Sequence, residues 1–337
     1  MPKTKYKSKK RNWLLYSGLF ILLLITVVIG YSIHLYQQTE NMVNESHEQI
    51  DRKESKSELR SDHVDPVKDN VSVLFLGTDT SEHRQYGESS RTDAIILATF
   101  NKFERSIKLL SIPRDTYVFV PKVGNYTKIN HAHFYGGPIS TIETIEQFLD
   151  VPIDYYVRMN FDAFVEVVDA LDGILFDVPY EIVESDSHDN KNTIHLTPGY
   201  QKLNGEQALA LARTRKYDSD VDRGKRQQEI IKVIISKTTS ISSVPKLSNV
   251  IEAIGDNLKT NLSFQEMKSF LSYGLDKDIE IETVNFEGKG SYMNGGWYYQ
   301  IEEESKRRVQ QELKNHLDIV ITNNPSLYHI GISFSIK

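Results

Sequence analysis

VSVLFLGTDTSEHRQYGESSRTDAIILATFNKFERSIKLLSI, residues 71–112, holds three short apolar runs, 71–76, 94–100 and 107–112, divided by polar chain. Each run is rich in Val, Ile, Leu and Phe, is too short for a globular helix, and ends in Gly, Asn or Pro. Such runs read as strands of a largely buried sheet. Downstream, 139–149 and 161–171 place apolar residues at three- and four-residue spacing, as helices covering a sheet do. Further strands are expected at 155–158, 173–178, 193–196 and 279–286, with a polar loop over 181–192. Asn204, followed three residues later by Gln207, marks a capped helix over 205–212. Longer helices are expected over 222–237, 244–258, 264–273 and 301–317. The alternation of strands and helices predicts a mixed α/β sandwich.

Upstream, residues 12–39 contain no Lys, Arg, Asp or Glu. An apolar helix over 13–36 is long enough to cross the roughly 30 Å hydrocarbon layer of a membrane. Lys3, Lys5, Lys7, Lys9, Lys10 and Arg11 precede it, which retains residues 1–12 in the cytoplasm and sends the rest outside. A cleaved signal peptide is the alternative, but the run exceeds the usual ~7–15 residue apolar core of such peptides. Residues 37–70 are polar without apolar periodicity and read as a solvated stalk. The organisation expected is a basic tail (1–12), a membrane helix (13–36), a stalk (37–70), a domain (71–323) and a C-terminal tail (324–337).

The chain has 40 Lys and Arg against 46 Asp and Glu; with six cations inside, 34 remain outside against 46 acids, a balance of −12. That argues against a nucleic-acid binder. Cysteine is absent, which excludes disulfides and a thiol nucleophile.

Against this acidic background, residues 213–226 carry six cations and three acids. Arg213 and Arg215 converge if the chain is extended after 205–212, and Arg223, Arg226 and Gln227 share a face near a helix start. Guanidinium forks and a helix N-terminus suit phosphate oxygens. Arg91 lies two residues before Asp93, so an extended chain turns both to one face. Arg114 follows the third strand, and Lys128 is a further cation able to reach phosphate or sugar. Asp79 and Asp93 flank the first two strands; if these are antiparallel neighbours, both carboxylates meet at one sheet edge. Two carboxylates suit Mg²⁺, which fills its shell with water and phosphate, although Asp is also common in turns. Each Arg, equally, has surface ion pairing as its plain reading. His131 and His133 form a His-x-His without an evident third zinc ligand, which favours a lid or structural loop.

Six ordered stretches carry a resemblance: VSVLFLGTD (71–79), SRTDAIIL (90–97), LSIPRDTYVFVP (110–121), KINHAHFYGGP (128–138), VPIDYYVRMNF (151–161) and LNGEQALALARTRKYDSDVDRGKRQ (203–227). Together they resemble the LytR-CpsA-Psr family of cell-wall glycopolymer ligases. The resemblance implies an α-β-α sandwich on a mixed sheet, with a hydrophobic tunnel for a polyprenyl tail lined by the apolar faces of 139–149, 161–171 and 230–235. It implies that Asp79 and Asp93 bind Mg²⁺, with Mn²⁺ as an alternative. It also implies that Arg91, Arg114, Arg213, Arg215, Arg223 and Gln227 hold the lipid pyrophosphate, Lys128 being added from its own chemistry, with Asp93, Arg114 and Arg91 at the reaction centre.

The expected activity moves an anionic glycopolymer from a polyprenyl-pyrophosphate carrier to a peptidoglycan sugar hydroxyl, at the outer face of a Gram-positive-like cell membrane. The LSIPRDTYV and ARTRKYDSD versions are most similar to teichoic-acid members, so wall teichoic acid comes before capsular polysaccharide. Rival readings are a lipid-pyrophosphate sensor or transcription attenuator, and a lipid pyrophosphatase. A general base is not identifiable between Asp93 and Asp115, and the oligomeric state is left open.

Overall fold

The computed structural model describes residues 40, 46–50, 52, 56–79, 90–216, 219–238, 257–274, 279–293 and 295–319. The basic tail, the expected membrane helix (13–36), the loop 80–89, most of the helix expected over 244–258 and the C-terminal tail lie outside the described residues. No helix among the described residues is long and apolar enough to cross a membrane.

In chain order, β1 (Val71–Thr78), β2 (Thr92–Asn101), β3 (Ser106–Ser111), β4 (Tyr117–Val120) and β5 (Asn125–Lys128) precede α1 (His131–Leu149). Then come β6 (Tyr155–Met159), α2 (Phe161–Ala170), β7 (Ile174–Val178), β8 (Ile182–Glu184), β9 (Ile194–Leu196) and β10 (Gly199–Leu203). Next are α3 (Gly205–Arg213), α4 (Asp220–Thr238), β11 (Leu258–Thr260), α5 (Phe264–Gly274), β12 (Glu280–Val284), β13 (Gly288–Met293), β14 (Gly296–Ile301) and α6 (Glu303–His316). Six strands form the central sheet in the order β11-β6-β1-β2-β3-β12. β1 runs antiparallel to β2 and parallel to β6, so the sheet is mixed.

Period-two alternation divides the core. Leu74, Leu76, Ile95, Leu97, Leu110 and Ile112 pack on one face against Ile142, Ile145 and Leu149 of α1 and Val309 and Leu313 of α6. Val71, Val73, Ile96, Ala98, Ile107 and Leu109 pack on the other, against Ile231 and Ile235 of α4 and Met267 and Phe270 of α5. A third cluster joins α2, α3 and α4 to the β7–β10 region through Val168, Ile174, Leu203, Leu211 and Ile230. The expected mixed α/β architecture is therefore present.

Two buried polar groups lock the helices to the sheet. Gln228 of α4 donates to Leu109 O (2.8 Å) and Val284 O (2.9 Å), spanning β3 and β12. His316, ending α6, places its ring nitrogens 2.8 Å from Thr99 Oγ1 and 2.8 Å from Ser106 Oγ. Burial lowers its pKa to about 4, so it is neutral at neutral pH.

Several expectations need correction. Part of the expected stalk belongs to the domain: Ile50 is buried in the core, Arg52 donates to Ile153 O (2.8 Å), and Arg60 pairs with Asp154 at 2.6 Å. Ion pairing, which leaves no apolar period in the sequence, docks this segment. Leu258 lies in β11, where pairing with β6 overrides the helical spacing. Ile301 ends a β13–β14 hairpin that precedes α6. The helix predicted over 139–149 begins at His131 and is kinked where Gly137 adopts φ +62° before Pro138. That conformation is open to glycine and costly for other residues.

Candidate functional site

A cavity opens between β1, β2 and β6 of the sheet and the helices α2, α3 and α4. Its apolar wall includes Phe75, Ile96, Met159, Phe161, Phe164 and Ile231; Asp93, Arg213, Arg215, Arg223 and Gln227 also line it. Of the apolar segments expected to line a tunnel, the start of 161–171 and the start of 230–235 do so. Segment 139–149 does not: it packs on the opposite face of the sheet, because Ile142, Ile145 and Leu149 meet the face carrying Leu74 and Leu76.

Local chain chemistry places the polar end. Asn204 caps α3 reciprocally with Gln207, and Thr214 then turns extended (ψ 141°), separating Arg213 from Arg215. The start of α4 packs against β3 at Gly224, where a Cβ would come within 2.6 Å of Ser111 Oγ. Asp93 occupies a β-bulge: Gly77 pairs with Ala94 and Thr78 with Thr92, leaving Asp93 as the extra residue. Bulges re-aim side chains, and they concentrate near active sites. Asp79 directly follows β1, so the two carboxylates come from adjoining strand ends.

Arg114 Nη1 donates to Asp93 Oδ1, and its Nε lies 3.8 Å from Asp115 Oδ2. Lys128 donates to Asp115 at 2.7 Å and holds its ammonium 5.6 Å from the Tyr298 ring centre. Asp220 adjoins Asp115 and pairs with Arg223 at 2.9 Å. Burial pushes the Asp115 carboxyl up, but Lys128 and Arg114 outweigh it and hold the pKa below the usual carboxylate value. Burial draws the Arg223 guanidinium down, as do Arg215 and Arg114, against the attraction of Asp220 and Asp93. These groups thus form one electrostatic cluster.

Not every expected ligand is equally available. Arg213 donates to the carbonyls of Ser185 and Asp186 and stacks over Phe161 at 5.6 Å. Gln227 donates to Ala212 O at 3.1 Å, and Arg226 clamps Leu211 O, Thr214 O and Tyr180. Arg91 lies 5.8 Å from the Phe134 ring and, like Arg114, Lys128 and Asp79, is not part of the cavity lining. Arg91 and Arg215 make no ion pair among the described residues. His133 is buried and donates from Nδ1 to Ser90 O at 2.7 Å, fixing the chain before Arg91. His131 meets Thr127 Oγ1 at 2.7 Å. Both histidines therefore have structural partners. Asp115 and Asp220, which link the cations, have only a weak sequence signal: Asp115 adjoins Arg114, and Asp220 lies three residues before Arg223 on a helix.

Among the described residues no group of three or more His, Asp or Glu is placed to hold a metal. The available set is Asp79 and Asp93, the latter's side chain 34% exposed. Hard carboxylate oxygens are the donor type that Mg²⁺ takes alongside water and phosphate.

A model described as the LytR_cpsA_psr family matches residues 33–315. An uncharacterized protein of Staphylococcus aureus is 43% identical over 310 residues, covering 91% of this chain and 76% of its own. The polyisoprenyl-teichoic acid–peptidoglycan teichoic acid transferase TagT of Bacillus subtilis is 36% identical, covering 94% of this chain and 98% of its own. The solved structure of the LytR-CPS2A-psr family protein YwtF (TagT) with bound octaprenyl pyrophosphate lipid superposes with a TM-score of 0.66 at 34% identity, over 81% of this chain and 100% of that one.

Proposed function

This chain belongs to the LytR-CpsA-Psr family, and from that premise we propose that it transfers an anionic glycopolymer, wall teichoic acid first, from a polyprenyl-pyrophosphate carrier to a sugar hydroxyl of peptidoglycan. The observation that carries this reading is one amphipathic cavity: an apolar wall from Phe75 to Ile231 leads to Asp93, Arg215 and Arg223. A lipid tail suits the wall and a pyrophosphate suits the guanidiniums. The name of the TagT relative and the lipid bound in the YwtF structure agree with that chemistry. The apolar segment 13–36 anchors the chain in the membrane with the domain outside.

In this mechanism the acceptor hydroxyl attacks the phosphorus attached to the glycopolymer. The bond from that phosphorus to the bridging oxygen breaks, and polyprenyl monophosphate leaves. The result is a phosphodiester and one released proton. Arg215 and Arg223 hold the pyrophosphate, while Arg114, fixed by Asp93 and Asp115, faces the charge that develops on its oxygens. Asp115 is held ionised by Lys128 and Arg114, so it positions these cations instead of taking the proton. Asp79 and Asp93 are the residues that would hold Mg²⁺, which when bound supplies further positive charge at the phosphate oxygens.

The test incubates the full chain in detergent micelles with a lipid-linked glycopolymer, Mg²⁺ and peptidoglycan oligomers. Coupled product is expected. Phosphate-terminated polymer alone would make the protein a hydrolase, and tight binding without turnover would make it a sensor.

A further inference from the structure

Beyond the cations, on the side away from the apolar cavity, the β4–β5 and β13–β14 hairpins build an aromatic surface. Across β4 and β5, Tyr117 pairs with Lys128 and Phe119 with Tyr126, so all four point to one face. Val118 and Val120 alternate into the core. Tyr299 N donates to Asp115 O at 2.9 Å, setting β14 beside the start of β4. That contact brings Tyr298 within 5.2 Å of Tyr117, measured between ring centres. Tyr126 lies 5.3 Å from Tyr117 and 5.5 Å from Phe119, and is 57% exposed. Lys128 stands between these rings and the site, bonded to Asp115 and over Tyr298.

We propose that Tyr117, Phe119, Tyr126 and Tyr298 form a sugar-stacking platform that holds the acceptor glycan strand, with Lys128, held by the buried Asp115, turned to its hydroxyls. This rests on the phosphotransferase reading. Pyranose rings present faces of weakly positive C–H groups, which suit the negative faces of aromatic rings. The Lys128 ammonium has three donors, so its bond to Asp115 leaves others for sugar hydroxyl oxygens. Direction selects the acceptor over the donor: in-line displacement needs the attacking oxygen opposite the leaving one. The lipid phosphate leaves toward the apolar cavity. A contact chain of Asp93, Arg114, Asp115 and Lys128 leads from that cavity to the platform, so the nucleophile enters from the aromatic side.

Two measurements test this on the full chain in detergent micelles. In the transfer assay, Tyr126→Ala should raise the KM for soluble peptidoglycan glycan fragments roughly three- to ten-fold, with the donor KM unchanged; Tyr126→Phe should restore it. In calorimetry without donor, the same fragments should bind the wild-type chain and bind Tyr126→Ala more weakly. Because Tyr126 is exposed, the substitution leaves the core intact, which the melting temperature verifies. An unchanged acceptor KM in an active enzyme, or a raised donor KM in its place, overturns the platform while leaving the phosphotransferase standing. Glycan binding that depends on Tyr126 without any transfer keeps the platform and defeats the phosphotransferase.

Discussion

Asp115 accepts the Lys128 ammonium at 2.7 Å while its other carboxylate oxygen stands 3.8 Å from Arg114 Nε, so one buried acid fixes two cations from different elements. Asp115→Asn keeps the shape and removes the charge. Losing charge-assisted contacts costs about 1.5–3 kcal/mol, so kcat/KM should fall roughly ten- to hundred-fold. Steady-state transfer rates check this; wild-type rates would mean that the pairing plays no part in positioning.

Arg114 is bonded directly to the bulged Asp93. Arg114→Ala should lower kcat by about a hundred- to a thousand-fold, the usual loss when a donor to developing charge is removed. Arg114→Lys should recover little, since an ammonium cannot reproduce the two-pronged geometry toward Asp93 and phosphate. Single-turnover rates, with melting temperatures to verify folding, separate a chemical loss from a structural one.

The cavity wall makes a separate claim about the lipid tail. Met159→Trp adds bulk beside Phe75 and Phe161 and should raise the KM of a long-chain polyprenyl donor by roughly ten-fold. A short-chain donor analogue should be little affected. Equal effects on both donors would place the tail elsewhere.

Stability should depend on pH through His133 and His316. Burial depresses both to about 4 from an ordinary 6.5; for His133 the bond to Ser90 opposes the shift. Above pH 6.5 both states are neutral at these positions, and no pH dependence arises from them. As the pH falls from 6.5 toward 4, the unfolded chain takes up protons that the fold excludes, and stability is lost. By pH 5 the loss is about 2 kcal/mol for each imidazole. Urea denaturation at pH 7 and pH 5 measures it, and His316→Gln should remove about half of this slope.

The strands 71–76, 94–100 and 107–112, the Asn204–Gln207 cap and the helices over 222–237 and 264–273 are legible from residues alone, because apolar period and capping chemistry are local. Strands β4, β5, β13 and β14 are less legible: these short, tyrosine- and glycine-rich hairpins carry little apolar alternation and set aromatic rings opposite one another. The segment before Asn70 misleads for a related reason, since its docking uses Arg52 and Arg60 against partners about a hundred residues away.

By itself the sequence determined the mixed α/β class and the acids and guanidiniums around which a phosphate site can form, since residue type and order suffice for both. Only the tertiary structure decided how they are used. It decided that a bulge aims Asp93, that Arg213 is occupied by backbone carbonyls, that α1 covers the face opposite the cavity, and that an aromatic surface adjoins Lys128. The reason is that strand register and ion-pair choice depend on residues brought together from distant parts of the chain, and no local period records those meetings.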